Sequence, residues 1–143
     1  MLTIQFRYPP MRFAALLFLS SLCFVTAQAS SLPTEVIENM DRYRIVLYLN
    51  DAQIKAIPQW QPGQGAPPMS LQAAVDRVLA WMAGEESLKS AQLYELKYKP
   101  VHHYEKLNRW YYLIELRLPA GKKRFVAVLP DGQVVPAIEE PGR

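Results

Sequence analysis

The chain has almost no cysteine. Among its 143 residues the only one is Cys23. A single thiol cannot form a disulfide within the chain, and it supplies at most one of the four ligands that a structural zinc ion takes. The sequence therefore excludes a disulfide framework, and the fold must be held together by packing.

Long hydrophobic runs are also lacking. The longest, Phe13 to Val25, is shorter than the roughly 20 apolar residues that a membrane-spanning helix needs. Arg7 and Arg12 precede this run, and the small-x-small sequence Ala27-Gln28-Ala29 follows it. This order is typical of a secretory signal peptide. We therefore predict that residues 1–29 are a signal peptide, cleaved near Ala29, and that the remaining chain is periplasmic or secreted.

Two alternatives remain open for this segment. One is an N-terminal anchor that is not cleaved, and the other is a lipoprotein that begins at a modified Cys23. A lipobox has a small residue before the cysteine, whereas Leu22 is bulky, so the sequence favours the signal peptide. Removing 29 residues from 143 leaves 114, which suits one domain with one core.

A marked excess of one charge is absent as well. Without Arg7 and Arg12, the 16 basic residues fall to 14, against 13 acidic ones. Nucleic-acid binding needs clustered basic charge. The one tight basic cluster, Lys122 to Arg124, directly follows Gly121, a pattern that is typical of a solvated turn. We expect no nucleic-acid partner, and no membrane span after cleavage.

Proline and glycine divide the remainder. Residues 30–41 are polar and contain Pro33, which predicts a loose lead-in or a short helix. Residues 42–138 form the predicted single domain, and the acidic tail 139–143 is expected to fray. Within the domain, residues 52–68 contain four prolines and two glycines, which predicts a long surface loop.

One segment has the period of an amphipathic helix. Ser70 is a suitable N-cap, because its hydroxyl can accept a hydrogen bond from an amide of the first turn. Gly84 stands where a left-handed residue is wanted after the last turn. The apolar stripe between them consists of Leu71, Ala74, Val75, Val78, Leu79 and Met82. We predict a helix over Ser70–Ala83.

Five segments have strand character, with apolar and polar residues alternating in most of them. They are Tyr43–Leu49, Leu93–Lys99, Trp110–Leu118, Arg124–Leu129 and Gln133–Ile138, with a turn at Pro130-Asp131-Gly132. The predicted architecture is α+β: the amphipathic helix packs on the apolar face of an antiparallel sheet in a two-layer sandwich. In the third segment Trp110 faces the helix, and Tyr111 lies on the exposed face.

The residues from Ser70 to Ile138 resemble the PepSY-like domains of bacterial secreted and envelope proteins. The similarity lies in three pieces, Ser70–Val75, Trp110–Leu116 and Phe125–Val135, which match a capped helix, an aromatic strand and a closing hairpin. The resemblance implies a noncatalytic module that acts by binding, in some cases by restraining a peptidase. It supplies no catalytic residue and no cofactor. Residues 43–68 lie outside the usual pattern.

Aromatic residues off the apolar stripe indicate where a partner would bind. Trp60, Tyr104 and Tyr111 are the predicted binding surface, suited to a peptide or a glycan if they are exposed together. An exposed edge strand would offer a second mode of peptide binding, and Tyr43–Leu49 and the last strand are the candidates. The expected partner is an envelope protein or peptide.

Enzymatic and metal-binding functions have little support. His102 and His103 are the only histidines, and adjacent residues on a strand or turn point in opposite directions, so a shared metal ion is not expected. The alternative function is a small ligand-binding or hydrolytic protein of cystatin-like shape, with a site near His102, His103 and Glu105. Glu95 and Glu115 are expected to form charge pairs across neighbouring strands.

Overall fold

The structure is a computed structural model that describes residues 33–142. The predicted signal peptide, residues 1–29, lies outside the described residues. No helix within 33–142 has both the length and the apolar character required to cross a membrane. The strands and helices of this part of the chain are β1 (Glu35–Asn39), β2 (Tyr43–Leu47), α1 (Asp51–Ala56), α2 (Leu71–Ala83), β3 (Gln92–Pro100), β4 (Trp110–Arg117), β5 (Lys123–Val128), β6 (Val134–Pro136) and β7 (Ile138–Pro141).

A four-stranded antiparallel sheet with the order β3-β4-β5-β6 forms the middle layer. Helix α2 packs on one face of it, as the sequence predicts. Ser70 caps the helix, because its Oγ accepts a hydrogen bond from the amide of Ala73 at 3.1 Å. The buried residues of the helix, Ala74, Val78 and Met82, pack against the apolar side of β4 and β5.

The second face of this sheet is also covered. A three-stranded sheet with the order β1-β2-β7 lies against it, together with α1. This second core consists of Ile45, Leu47, Leu49, Ile54, Ile57, Val101, Tyr111, Leu113, Phe125, Ala127 and Leu129. The α+β class is confirmed, but the sandwich has three layers rather than two. Strand β4 is buried on both sides, so the expectation of an exposed Tyr111 face was wrong.

The two ends of the domain form strands that the sequence did not indicate. The predicted lead-in contains β1, and the predicted fraying tail contains most of β7. Both pair with β2, one on each side. The backbone groups of β1 and β7 therefore bond to β2, whereas those of an unpaired terminal segment would bond to water. For the same reason Tyr43–Leu47 is an interior strand, and the prediction that it is an edge was wrong. The last predicted strand, 133–138, is divided between β6 and β7.

Two further expectations differ from the structure in detail. Residues 52–56 of the predicted loop belong to α1, which begins with a capping box between Asn50 and Gln53. The rest of that segment, up to Met69, contains no regular helix or strand. Gly84 has φ −82° and ψ −11°, so the helix ends without the left-handed residue that was expected.

Candidate peptide-binding edge

Strand β3 is an edge strand whose outer side has no partner within residues 33–142. Its inner side pairs with β4, and Val101 beyond its end donates to the carbonyl of Arg109 at 2.8 Å. Hydrogen-bonded pairs alternate with non-bonded ones in an antiparallel ladder, so Lys97 and Lys99 bond to β4 in this register. The amides and carbonyls of Leu96 and Tyr98 therefore face outward, as two donors and two acceptors in a row.

The part of β3 that can pair with a further strand is residues 95–99, which we call the free segment. Pro100 lies at a position whose nitrogen faces outward, where a proline costs no ladder hydrogen bond. At the other end a β-bulge between Leu93 and Glu95 interrupts the register. Residues 95–99 between them are regular and extend over about 17 Å. This length accommodates a partner strand of about five residues.

One side of the free segment is lined by an aromatic ledge, which we define as Trp60, Leu96, Tyr98 and Trp110. The ring centroids of Trp60 lie 5.4 Å from Tyr98 and 5.6 Å from Trp110. Helix α2 packs over β4, β5 and β6, and all four side chains of the ledge are half-buried. The ledge is an apolar surface directly beside outward-facing peptide groups.

Backbone contacts hold Trp60 in the ledge. The amide of Trp60 donates to the carbonyl of Asn108 at 2.8 Å, and its Nε1 donates to the carbonyl of Gly65 at 3.3 Å. The guanidinium of Arg109 donates to the carbonyl of Lys55 at 2.9 Å and also to that of Ile57. The irregular segment after α1 is thus fastened to the connection between β3 and β4, and its aromatic side chain covers Tyr98.

The other side of the free segment is polar. The side chain of Lys97 is 58% exposed, and its Nζ lies 2.8 Å from a carboxylate oxygen of Glu95. This hydrogen bond is the main reason that the pKa of Lys97 is raised. Next along the strand, Lys99 pairs with the largely buried Glu35, whose second oxygen accepts the hydroxyl of Tyr111. Lys97 therefore stays positively charged and accessible at the middle of the edge.

Two tyrosines on the sheet have phenols that ionise less readily than in water. Burial raises the pKa of Tyr98 to about 12, and its hydroxyl oxygen is a buried atom without a hydrogen-bond partner in the described part of the chain. The pKa of Tyr111 is raised by burial and, in second place, by its contact with Glu35. Both groups favour the folded state only while they are protonated.

We expect the free energy of unfolding to fall as the pH rises from about 10 to about 12. The unfolded chain loses its phenolic protons near pH 10, whereas Tyr98 keeps its proton to about pH 12 in the folded state and Tyr111 also resists ionisation. Urea titrations at stepwise pH values measure this slope. It should be shallower in Tyr98→Phe and in Tyr111→Phe, and an unchanged slope in both variants would contradict the assignment.

The structure separates the three residues of the predicted binding surface. Trp60 lies in the aromatic ledge. Tyr104 is 36% exposed and lies after β3, in the turn that leads to β4. Tyr111 is completely buried under the second sheet, so it forms no part of a surface. Sequence reasoning missed the outward edge of Leu96 and Tyr98, although the proline that ends this strand is a signal of an edge.

The histidines form a local cluster with Glu105. Nδ1 of His102 lies 3.1 Å from Oε1 of Glu105, and the same oxygen accepts the amide of His103 at 3.0 Å. The two rings are 4.0 Å apart, so the expectation that they point in opposite directions was wrong. The cause is the backbone of His103, whose φ of 65° turns the chain.

This cluster borders a groove but does not form a metal site. The groove has a volume of about 670 Å³ and is lined by His102, His103, Tyr104 and Ile54 among others. Within residues 33–142, no group of three or more His, Cys, Asp or Glu side chains has an arrangement that could hold a metal ion. Elsewhere, Glu95 and Glu115 are cross-strand neighbours, and each pairs with a base on its own strand, as at the 2.5 Å contact of Glu115 with Arg117.

The chain matches no protein-family model, no curated protein and no solved structure. The candidate site is the free segment 95–99, with the aromatic ledge on one side and Lys97 on the other. An extended peptide fits this geometry, because it can bond to the outward amides and carbonyls while its side chains alternate between the two sides.

Proposed function

We propose that the chain is an exported, noncatalytic, PepSY-like binding module that adds an extended segment of an envelope protein or peptide to the edge of β3. The observation that supports this is the row of outward amides and carbonyls at Leu96 and Tyr98, in a strand that among residues 33–142 pairs only on its other side. Main-chain hydrogen bonds of this kind give affinity in strand addition, and side-chain contacts give specificity. The module regulates its partner by holding that segment.

Export is part of the proposal because the first 29 residues have the pattern of a signal peptide. The PepSY-like assignment draws on the capped helix, the aromatic strand and the closing hairpin between Ser70 and Ile138. A noncatalytic role is in keeping with the site itself, whose functional groups are peptide groups, aromatic rings and the paired ammonium and carboxylate of Lys97 and Glu95. These groups bind an extended chain and activate no nucleophile.

We expect Leu96→Pro to bind peptides far more weakly than Leu96→Ala does. The amide of Leu96 faces outward, so proline removes a donor from the free edge and spares the ladder to β4. Alanine removes the same side chain and keeps the donor, which makes it the matched control. The chain, purified after export, is first used to select nonapeptides from a random library, and the affinity of the selected peptides is then measured by fluorescence anisotropy for each variant.

A second readout places the bound peptide on the strand. In hydrogen-exchange NMR, the amides of Leu96 and Tyr98 should become protected when a selected peptide binds, because each gains an acceptor. Lys97 already bonds to β4 and serves as the internal reference. Strand addition at β3 would be contradicted if a peptide bound Leu96→Pro as tightly as Leu96→Ala. It would also be contradicted if a peptide bound the native chain without protecting the amides of Leu96 and Tyr98.

A further inference from the structure

A strand added to β3 would send its side chains alternately to the two sides of the sheet. The residues opposite Leu96 and Tyr98 would lie on the aromatic ledge. The residue between them would lie opposite Lys97, on the polar side. The edge would therefore contact three consecutive residues of its partner. The chemistry of each side of the sheet determines which residue types are favoured at these positions.

The ledge favours an aromatic residue at one of its two positions. The residue opposite Tyr98 would come beside Trp60, whose ring centroid is 5.4 Å from that of Tyr98. A further ring at this point extends the tilted and edge-to-face contacts that Trp60, Tyr98 and Trp110 already make. The residue opposite Leu96 lies farther from Trp60 and meets an aliphatic neighbour, which favours an aliphatic side chain there.

The polar side favours an acidic residue. The carboxylates of Glu35 and Glu115 are turned inward, with side chains 11% and 8% exposed, and are paired with Lys99 and Arg117. Glu95 is the accessible acid here and already contacts Lys97. The ammonium of Lys97 has room for a second acceptor, whereas a basic residue directly opposite would place like charges together.

The same lysine argues against a second copy of this chain as the occupant. If two β3 strands paired antiparallel about a two-fold axis at the centre of the free segment, Lys97 would stand opposite Lys97. Lysine on an edge strand is a device that opposes this kind of self-association. The edge thus favours a segment with a negative charge opposite Lys97 and disfavours pairing with a second copy of β3.

On the basis of the proposed function, we propose that the partner segment carries an acidic residue between an aromatic and an aliphatic one, with the acidic side chain on Lys97 and the aromatic side chain on Trp60 and Tyr98. The partner is an extended segment of another protein. Among the described residues, this assigns specificity to Lys97 for charge and to Trp60 for the aromatic position.

A charge exchange tests the acidic position. The probes are two blocked nonapeptides with Phe-Glu-Leu or Phe-Lys-Leu at the centre of threonine flanks, together with their reversed orders. We expect the chain to bind the better glutamate peptide at least tenfold more tightly than its lysine counterpart. Lys97→Glu should invert this preference, and Lys97→Ala should remove it. Lys89→Glu, a charge reversal at another exposed lysine, should leave it unchanged.

The aromatic position has its own variant. Replacing phenylalanine by alanine in the glutamate peptide should weaken binding at least tenfold to the native chain and much less to Trp60→Ala. Equal loss in both proteins would overturn the assignment of Trp60.

The outcomes separate this inference from the proposed function. If both peptides bind equally and Leu96→Pro binds both far more weakly than Leu96→Ala does, strand addition stands and the charge assignment is overturned. If Leu96→Pro binds the peptides as tightly as Leu96→Ala does, both this inference and the proposed function fail. If neither peptide binds to the native chain, only this inference fails. Sedimentation of the chain alone gives the remaining outcome: a dimer that Leu96→Pro dissociates would make a second copy the occupant and overturn the inference.

Discussion

Tyr111→Ala is expected to lower the free energy of unfolding by about 3–5 kcal/mol, the range for replacing a large buried aromatic residue by alanine. The side chain of Tyr111 has no exposed surface and lies in the core between the two sheets. Its hydroxyl donates to Glu35, the first residue of β1. The substitution would open a cavity and also leave a buried carboxylate without one of its donors.

Urea denaturation measures this loss, and two matched variants divide it into parts. Tyr111→Phe keeps the ring and removes the hydroxyl, so it should cost about 1–3 kcal/mol, the penalty of an unsatisfied buried group. Tyr94→Ala is the surface control: that side chain is 61% exposed and lies over the guanidinium of Arg117, so its loss should cost about 1 kcal/mol or less. If Tyr111→Ala were no more destabilising than Tyr94→Ala, the second sheet would not cover β4.

Local signals in the sequence predicted the helix and the turns that the structure contains. The hydroxyl of Ser70 caps α2, and the apolar spacing after it predicts the buried residues Ala74, Val78 and Met82. The same stripe was wrong for Leu71 and Leu79, which are exposed. The turn at Pro130-Asp131-Gly132 lies between β5 and β6, and Gly132 has the positive φ of 89° that such a turn needs. These features depend on residues a few positions apart, which is why a single sequence contains them.

Strands β1 and β7 had no such local signal. The segment Glu35–Asn39 alternates poorly, and Ile138–Pro141 has two adjacent acidic residues and ends in proline. Both are strands because β2 offers them hydrogen-bonding partners, and β7 is about a hundred residues away from β2 in the chain. Pairing at that separation depends on the folded arrangement of the whole domain.

The candidate site was only partly predictable because the face of β4 that carries Tyr111 was assigned incorrectly. The charge of Glu115 predicts that its side of β4 is exposed, yet this carboxylate is buried and paired with Arg117. Tyr111 lies on the same side, so the sequence predicts that it is exposed, although it is buried. The assignment of Trp60 to a binding surface stays a prediction, and the outward edge of β3 is visible only from the strand order.

Removing residues 138–143 is expected to lower the free energy of unfolding by about 3–5 kcal/mol, whereas a fraying tail could be removed without loss. Strand β7 supplies the outer ladder of β2, and the amide of Gly142 continues it to the carbonyl of Arg42 at 3.0 Å. Each hydrogen bond of this kind contributes about 0.5–1.5 kcal/mol, and those to charged groups contribute more. The Arg44 guanidinium would lose its 2.7 Å contact with the carboxylate of Glu140.

Two substitutions in the full chain show which of these contacts matters. Glu140→Gln keeps the strand and removes the charge, so it should cost about 1–3 kcal/mol, because the Arg44–Glu140 pair is largely shielded from solvent. Glu139→Gln is the control, since its 3.7 Å pair with Arg124 is well exposed and should contribute less than about 0.5 kcal/mol. A truncated chain that unfolds at the same urea concentration as the full chain would show that β2 does not need β7. Equal effects of the two substitutions would mean that Arg44 is solvated rather than held by the strand.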